Sequence, residues 1–223
     1  MEILGSLQKE ILNCLKDLSD IEAFYLTGGT ALSAFYLKHR RSNDLDLFTT
    51  IEELITPFSL KVEETLKRKG LVIERKRSFQ SFVELFASSP MEFTVLHIAL
   101  DSPFRFEEPQ ESKDFPKLRI DSLIDISTNK LLTLFGRATL RDFIDVYFLI
   151  KEKFTKSELL QKSKIKDPGL DIYWLGVAFE RIKEFSSNSS ELLLLVRSCG
   201  VEELQNFFDE WRTEIYREIT GGS

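Results

Sequence analysis

The sequence predicts an α+β fold: a mixed sheet flanked by helices over residues 1–120, then an all-α part over 121–223. Three observations carry this. Strand-like periodicity is confined to residues 24–99. After Leu118 the apolar residues recur only at helical spacing. Between the two textures lies a polar stretch, 101–116, that holds three of the six prolines and reads as a loop.

The elements follow in order. Ile3, Leu7, Ile11, Leu12, Leu15 and Leu18 place an amphipathic helix over 2–19. Phe24 to Leu26 is a short β-favouring run that ends at Gly28-Gly29. Thr30 is suited to open a second helix, and Arg40 to Asn43 is a polar break. Asp44 to Phe48 alternates polar and apolar as a strand does, and a helix over 52–69 is stopped by Gly70. Strands are expected at 71–75, 81–87 and 92–99, with Ser88-Ser89-Pro90 turning the last pair into a hairpin. Helices are expected at 122–137, 140–152, 156–163, 170–185, 190–197 and 201–218, with Asp167-Pro168-Gly169 as a breaker.

Composition bounds the function. The 223 residues are 43% hydrophobic and 30% charged, enough for a real core and unlike a disordered or disulfide-stapled chain. A formal net charge of −6 argues against a general nucleic-acid binder with a basic surface, although local basic patches are compatible with it. Cys14 and Cys199 are far apart, which suits a reducing, cytoplasmic setting. No apolar run approaches the roughly 20 residues of a membrane span, so no membrane partner is expected. The amphipathic, mixed-charge start does not read as a signal peptide.

The informative stretch is Leu26 to Phe48, LTGGTALSAFYLKHRRSNDLDLF. A strand running into two glycines and a helix start lets backbone N–H groups approach a phosphate closely. Thirteen residues separate Thr30 from the following Asp44-x-Asp46. On a strand, i and i+2 point to one side, so both carboxylates share a face while Leu45 and Leu47 point into the core. Two adjacent acids repel unless a cation joins them, and Mg2+ is commonly held by one or two carboxylates together with substrate phosphates. A phosphate cradle beside a metal-binding acid pair suits phosphoryl or nucleotidyl transfer.

These residues resemble the signature of the DNA polymerase β-like nucleotidyltransferase superfamily. Within it the chain is most similar to the AbiEii/AbiGii-type toxins of type IV toxin–antitoxin pairs. Further blocks support that branch: Arg41-Ser42-Asn43-Asp44-Leu45-Asp46-Leu47-Phe48, the Asp101-Ser102-Pro103 step, and Lys130-Leu131 with Arg137 followed by Arg141-Asp142-Phe143-Ile144-Asp145-Val146-Tyr147. The resemblance implies a Mg2+-dependent enzyme that moves a nucleoside monophosphate from a nucleoside triphosphate to an acceptor hydroxyl such as a tRNA 3′ end. It implies an antitoxin protein as partner. It also assigns roles: Gly28, Gly29 and Thr30 to the nucleotide phosphates, Asp44 and Asp46 to the metal, Lys130 to the triphosphate or the active-site edge, and Asp142 as a helical acid beside that lysine. The superfamily's third carboxylate has His97 in its place here, a group able to bind metal or act as a base without adding negative charge. Glu84 and Glu92 are the candidates to replace it.

Blander readings stand beside these. Asp142 and Asp145 are spaced to pair with Arg137 and Arg141, and Lys130 sits among core leucines. His97 between apolar neighbours also fits a core histidine, and His39 next to two arginines reads as a surface residue. Lys67, Arg68, Lys69, Arg75, Lys76 and Arg77 form either a solvated helix end or an RNA contact. The His97 replacement leaves a second function open, a catalytically weak nucleotide-binding or regulatory protein. An Asp-x-Asp phosphatase would need an apolar strand directly before the first Asp, where this chain has His39-Arg40-Arg41-Ser42-Asn43.

Overall fold

The computed structural model describes residues 3–221. They form two compact units divided between Leu123 and Ile124.

The first unit is built on a seven-stranded mixed sheet: β1 (Tyr25–Thr27), β2 (Asp44–Thr49), β3 (Val72–Phe79), β4 (Phe82–Ser88), β5 (Phe93–Leu100), β6 (Gln110–Glu111) and β7 (Arg119–Ile120). The spatial order is β3-β4-β5-β2-β1-β7-β6. β2 runs parallel to β5 and antiparallel to β1, so the strand bearing the acid pair lies in the middle of the sheet. One face is apolar: Leu45, Leu47, Val83, Leu85, Leu96 and Ile98 are all fully buried. It packs beneath α1 (Ser6–Leu15) and α3 (Glu52–Arg68), whose Ile55, Phe58, Val62 and Leu66 recur at helical spacing. The rings of Phe24 and Phe58 stack 4.0 Å apart in this layer.

The alternation of β2 decides its orientation. Burying Leu45 and Leu47 is worth about 1.5–3 kcal/mol each. A one-residue slip would expose both and drive two carboxylates into the core, at several kcal/mol per ion. Asp44 and Asp46 therefore face away from the helices, on the side that also carries Phe48, Phe82, Glu84, Phe86, Val95 and His97.

The second unit is helical: α4 (Leu123–Arg137), which begins at the boundary, α5 (Leu140–Glu152), α6 (Lys156–Lys166), α7 (Ile172–Glu180) and α8 (Val201–Thr220). Its core is aromatic, with Phe143, Phe179, Phe208 and Trp211 in mutual ring contact. Thr139 and Thr155 open α5 and α6 with reciprocal capping boxes. Among the described residues no helix is long and apolar enough to cross a membrane.

Several expectations are corrected. The first helix is shorter than 2–19, covering Ser6–Leu15; part of the expected span lies outside the described residues. The second helix, α2, opens at Gly28 rather than Thr30 and runs Gly28–Ala31 before widening into a π-helix at Leu32–Leu37. Residues 190–197 are not an α-helix; only Ser190–Leu194 is helical, as a 3-10 turn, and none of its residues is buried, so no packed face supports a longer helix. The expected 170–185 helix ends at Glu180 and tightens to 3-10 at Arg181–Glu184. The polar segment 101–116 contains β6, which pairs with β7. His39 is fully buried, not on the surface.

Candidate active site

The site begins where β1 ends. Thr27 lies opposite Asp46 in the antiparallel register, so the chain turns at Gly28 directly beside that carboxylate. Gly28 has φ +73°, and a Cβ there would sit 2.0 Å from Asp46 Oδ2. Only glycine satisfies both the left-handed backbone and the close approach. A Cβ on Gly29 would fall 2.6 Å from the Arg40 guanidinium and 3.2 Å from Ser42 Oγ, so Arg40 passes behind the turn. The buried Thr30 hydroxyl donates to the Asp44 carbonyl and ties the turn to β2. Gly28, Gly29, Thr30, Asp44 and Asp46 are thus brought together, and the acid pair opens beside the glycine turn.

Gly28→Ala should hit function harder than folding. Alanine at positive φ costs on the order of 1 kcal/mol, whereas the collision displaces Asp46 itself. The expected outcome is a melting temperature lower by a few degrees and nucleotide transfer reduced more than a hundredfold; transfer at the wild-type rate would show that Asp46 need not hold its position.

His97 lies next to Asp46 across β5 and next to Glu84 across β4. Its Nδ1 is 2.8 Å from Asp46 Oδ1 and its Nε2 is 3.5 Å from Glu84 Oε2. Burial pushes the imidazole pKa down, but the Asp46 hydrogen bond and the charges of Asp46, Asp44 and Glu84 outweigh it and leave the pKa raised. Asp44, Asp46 and Glu84 thus gather negative charge around His97 on this face of the sheet. The donor chemistry suits Mg2+, which takes one or two carboxylates and fills its remaining positions with waters and phosphate oxygens; Asp44 and Asp46 offer two carboxylates on one side of a strand. Asp44 and Asp46 would hold it. His97 enters as the hydrogen-bond partner of Asp46. Among the described residues no three His, Cys, Asp or Glu side chains are grouped so as to hold a metal ion, and Glu92 is instead engaged by the Leu7 amide at 2.8 Å.

A second network went unread in the sequence. Arg105 bridges Asp101 and the fully buried Asp121, with its guanidinium 4.3 Å from the centre of the Tyr25 ring. Asp121 accepts from the Thr27 hydroxyl at 2.6 Å and from the Ser122 amide at 2.8 Å. Burial, and then the hydrogen bond to Asp101, push the Tyr25 phenol well above its ordinary pKa. This cluster anchors the residue preceding Gly28. The sequence marked Asp101 through the Asp101-Ser102-Pro103 step, but nothing in it pointed to Arg105 or Asp121 as its partners.

In the helical unit Lys130 is buried and pairs with the fully buried Asp145 at 2.7 Å. Asp142, also fully buried, accepts from Arg137 at 2.8 and 3.0 Å and from the Thr139 hydroxyl at 2.6 Å, capping α5. Both of its oxygens are thus engaged. Burial raises the Asp142 pKa, but the Arg137 and Thr139 hydrogen bonds and the charges of Lys130 and Arg137 bring it below the usual range. Because the folded value is depressed, Asp142 stabilises the fold above the unfolded pKa of about 3.9 and loses that contribution as the pH falls through the folded value. Asp142→Asn should therefore lower the melting temperature at pH 7 and narrow the difference from wild type below about pH 4. Equal differences at pH 7 and pH 2.5 would contradict this.

Comparisons with known proteins bear on the fold and the family. A protein of Aquifex aeolicus (strain VF5) whose function is uncharacterised is 28% identical over 223 residues, covering 98% of this chain and 90% of its own. The crystal structure of JHP933 from Helicobacter pylori is similar at TM-score 0.58 and 20% identity, covering 96% of this chain and 91% of its own. MenT4, a nucleotidyltransferase toxin of Mycobacterium tuberculosis H37Rv, is similar at TM-score 0.56 and 13% identity, covering 97% and 91%. At these identities the two structures show a shared fold. The sequence model of the AbiEii nucleotidyl transferase toxins matches residues 10–186. With that match spanning most of its length, the chain belongs to the AbiEii family of nucleotidyl transferase toxins of type IV toxin–antitoxin systems and is a nucleotidyltransferase.

Proposed function

We propose that this nucleotidyltransferase is a Mg2+-dependent toxin that transfers a nucleoside monophosphate from a nucleoside triphosphate to the 3′ hydroxyl of an RNA, with tRNA as the expected acceptor and a cognate antitoxin as its protein partner. The observation that supports the reading is the close approach of Gly28 to Asp46, which sets the glycine turn directly beside the acid pair. Gly28, Gly29 and Thr30 present backbone to the triphosphate. Asp44 and Asp46 would hold Mg2+, which when bound neutralises phosphate charge and polarises the α-phosphorus. The acceptor oxygen forms a bond to that phosphorus, the bond to pyrophosphate breaks, and the hydroxyl proton passes to a carboxylate of this row. Lys130 and Asp142 belong to the proposal through the family resemblance: within the helical unit Lys130 pairs with Asp145, and Asp142 sets the start of α5.

One feature favours a second reading. His97 stands where the family pattern has a third carboxylate and already occupies Asp46. A chain limited to nucleotide binding on this scaffold would bind a triphosphate with Mg2+ and release no pyrophosphate. Incubation with each labelled nucleoside triphosphate, Mg2+ and total RNA separates the two. Label on RNA with pyrophosphate release is expected; triphosphate binding without release would establish the binding protein instead.

A further inference from the structure

The basic cluster of residues 67–77 is not one patch. Lys67 and Arg68 pair with Glu63 and Glu64 along α3, and Arg75 is held by Glu63. Lys76 and Arg77 behave differently. The pairing of β3 with β4 shifts register between Arg75, opposite Leu85, and Arg77, opposite Glu84. Leu85 lies on the buried face of the sheet and Glu84 on the open one, so this irregularity turns the chain over. Arg77 is thereby placed on the face that carries Asp44 and Asp46, and Lys76 Nζ lies 5.8 Å from the centre of the Phe86 ring on the same side.

Aromatic rings continue that face. Phe86 stacks on Phe93 with centroids 5.5 Å apart and planes 22° apart, and Phe82 lies 5.5 Å from the His97 ring. Phe93 is 58% exposed. A row of paired residues joins the rings to the acids: Phe86 opposite Val95, and Val95 opposite Asp44. Two strand spacings put Phe86 about 10 Å from Asp44 along the sheet. Flat rings beside cations, open to solvent and leading to the acid pair, have the chemistry of a stacking platform for unpaired bases. The pairs Lys76–Glu74 at 2.6 Å and Arg77–Glu84 at 3.9 Å are surface pairs of low worth that a phosphate can displace. A protein interface of this kind would be depleted in charge at its centre, whereas here charge and rings alternate.

We infer that the open face of β3, β4 and β5 binds the single-stranded end of a polynucleotide acceptor, with bases stacked on Phe86 and Phe93 and the backbone drawn by Lys76 and Arg77. The acceptor role rests on the transferase reading above; the binding surface is tested separately from it.

Fluorescently labelled twelve-nucleotide single strands, one arm RNA and one arm DNA, are titrated with the full chain and followed by anisotropy. Phe86→Ala with Phe93→Ala should weaken binding at least tenfold, and Phe86→Leu, which keeps apolar volume, should weaken it severalfold if the double variant fails to fold. Lys76→Ala with Arg77→Ala should weaken binding and flatten its salt dependence by about one to two in the log–log slope. Wild-type affinity in the folded Phe86 and Phe93 variants, no binding of either strand by the native chain, or a concentration-dependent dimer abolished by the same changes with no strand bound, each overturns the surface. Transfer to RNA with an unaltered acceptor KM in these variants overturns the surface and leaves the transferase reading. Ring-dependent strand binding by a chain that transfers nothing upholds the surface and overturns the transferase reading.

Discussion

Asp44→Asn combined with Asp46→Asn should abolish nucleotide transfer, by a thousandfold or more, while the chain stays folded. Loss of metal-assisted charge stabilisation removes several kcal/mol from the transition state, and about 1.4 kcal/mol is a factor of ten in rate. The fold should tolerate the change because both side chains are on the open face of β2 and only partly buried, while Leu45 and Leu47 continue to anchor the strand. Removing two like charges also relieves their repulsion. A second readout follows from His97. Its raised pKa depends on the neighbouring carboxylates and is opposed by burial. Without Asp44 and Asp46 only Glu84 still opposes burial, so the imidazole should titrate at a lower pH than in the native chain, which proton NMR of the two-histidine chain can follow. Transfer that persists in the double variant would remove the metal assignment.

Lys130→Met should be the most destabilising single change. It removes the ammonium that lies 2.7 Å from the fully buried Asp145 carboxylate. Breaking a buried pair from one side costs about 3–5 kcal/mol, on the order of 10 °C in melting temperature for a chain of this size. Replacing both members, Lys130→Met with Asp145→Leu, should recover part of that loss, because the buried carboxylate that faced the ammonium is removed with it. The double variant also isolates function. A chain that regains its melting temperature but not its transfer activity shows that this pair serves transfer beyond its structural role. Recovery of both makes the lysine a structural ion-pair partner only.

The orientation of β2 was legible because alternation at period two, with leucines inward, leaves one arrangement of Asp44 and Asp46. Gly28-Gly29 was legible as a turn, but not the reason for glycine at the first position, which is a contact with a residue eighteen places later. His97 was marked only by a resemblance; that it hydrogen-bonds Asp46 follows from the parallel pairing of β2 with β5. The irregular register in β3 left no mark on the pattern, so Arg75, Lys76 and Arg77 looked like one cluster. His39 looked exposed because local polarity says nothing of what packs over it.

The chain's own alternation, glycine placement and charge spacing determined most of the elements and that a glycine turn and an acid pair occur in succession. Those are local properties, governed by backbone sterics and by which side of a strand or helix avoids water. Tertiary structure decided the partners: Asp46 against Gly28 and His97, Arg105 between Asp101 and Asp121, Lys130 on Asp145. Each partnership joins residues distant in sequence or resolves a choice among several equally spaced charges. It is settled by the cost of burying a charge unpaired, a penalty that exists only once the surrounding core has formed.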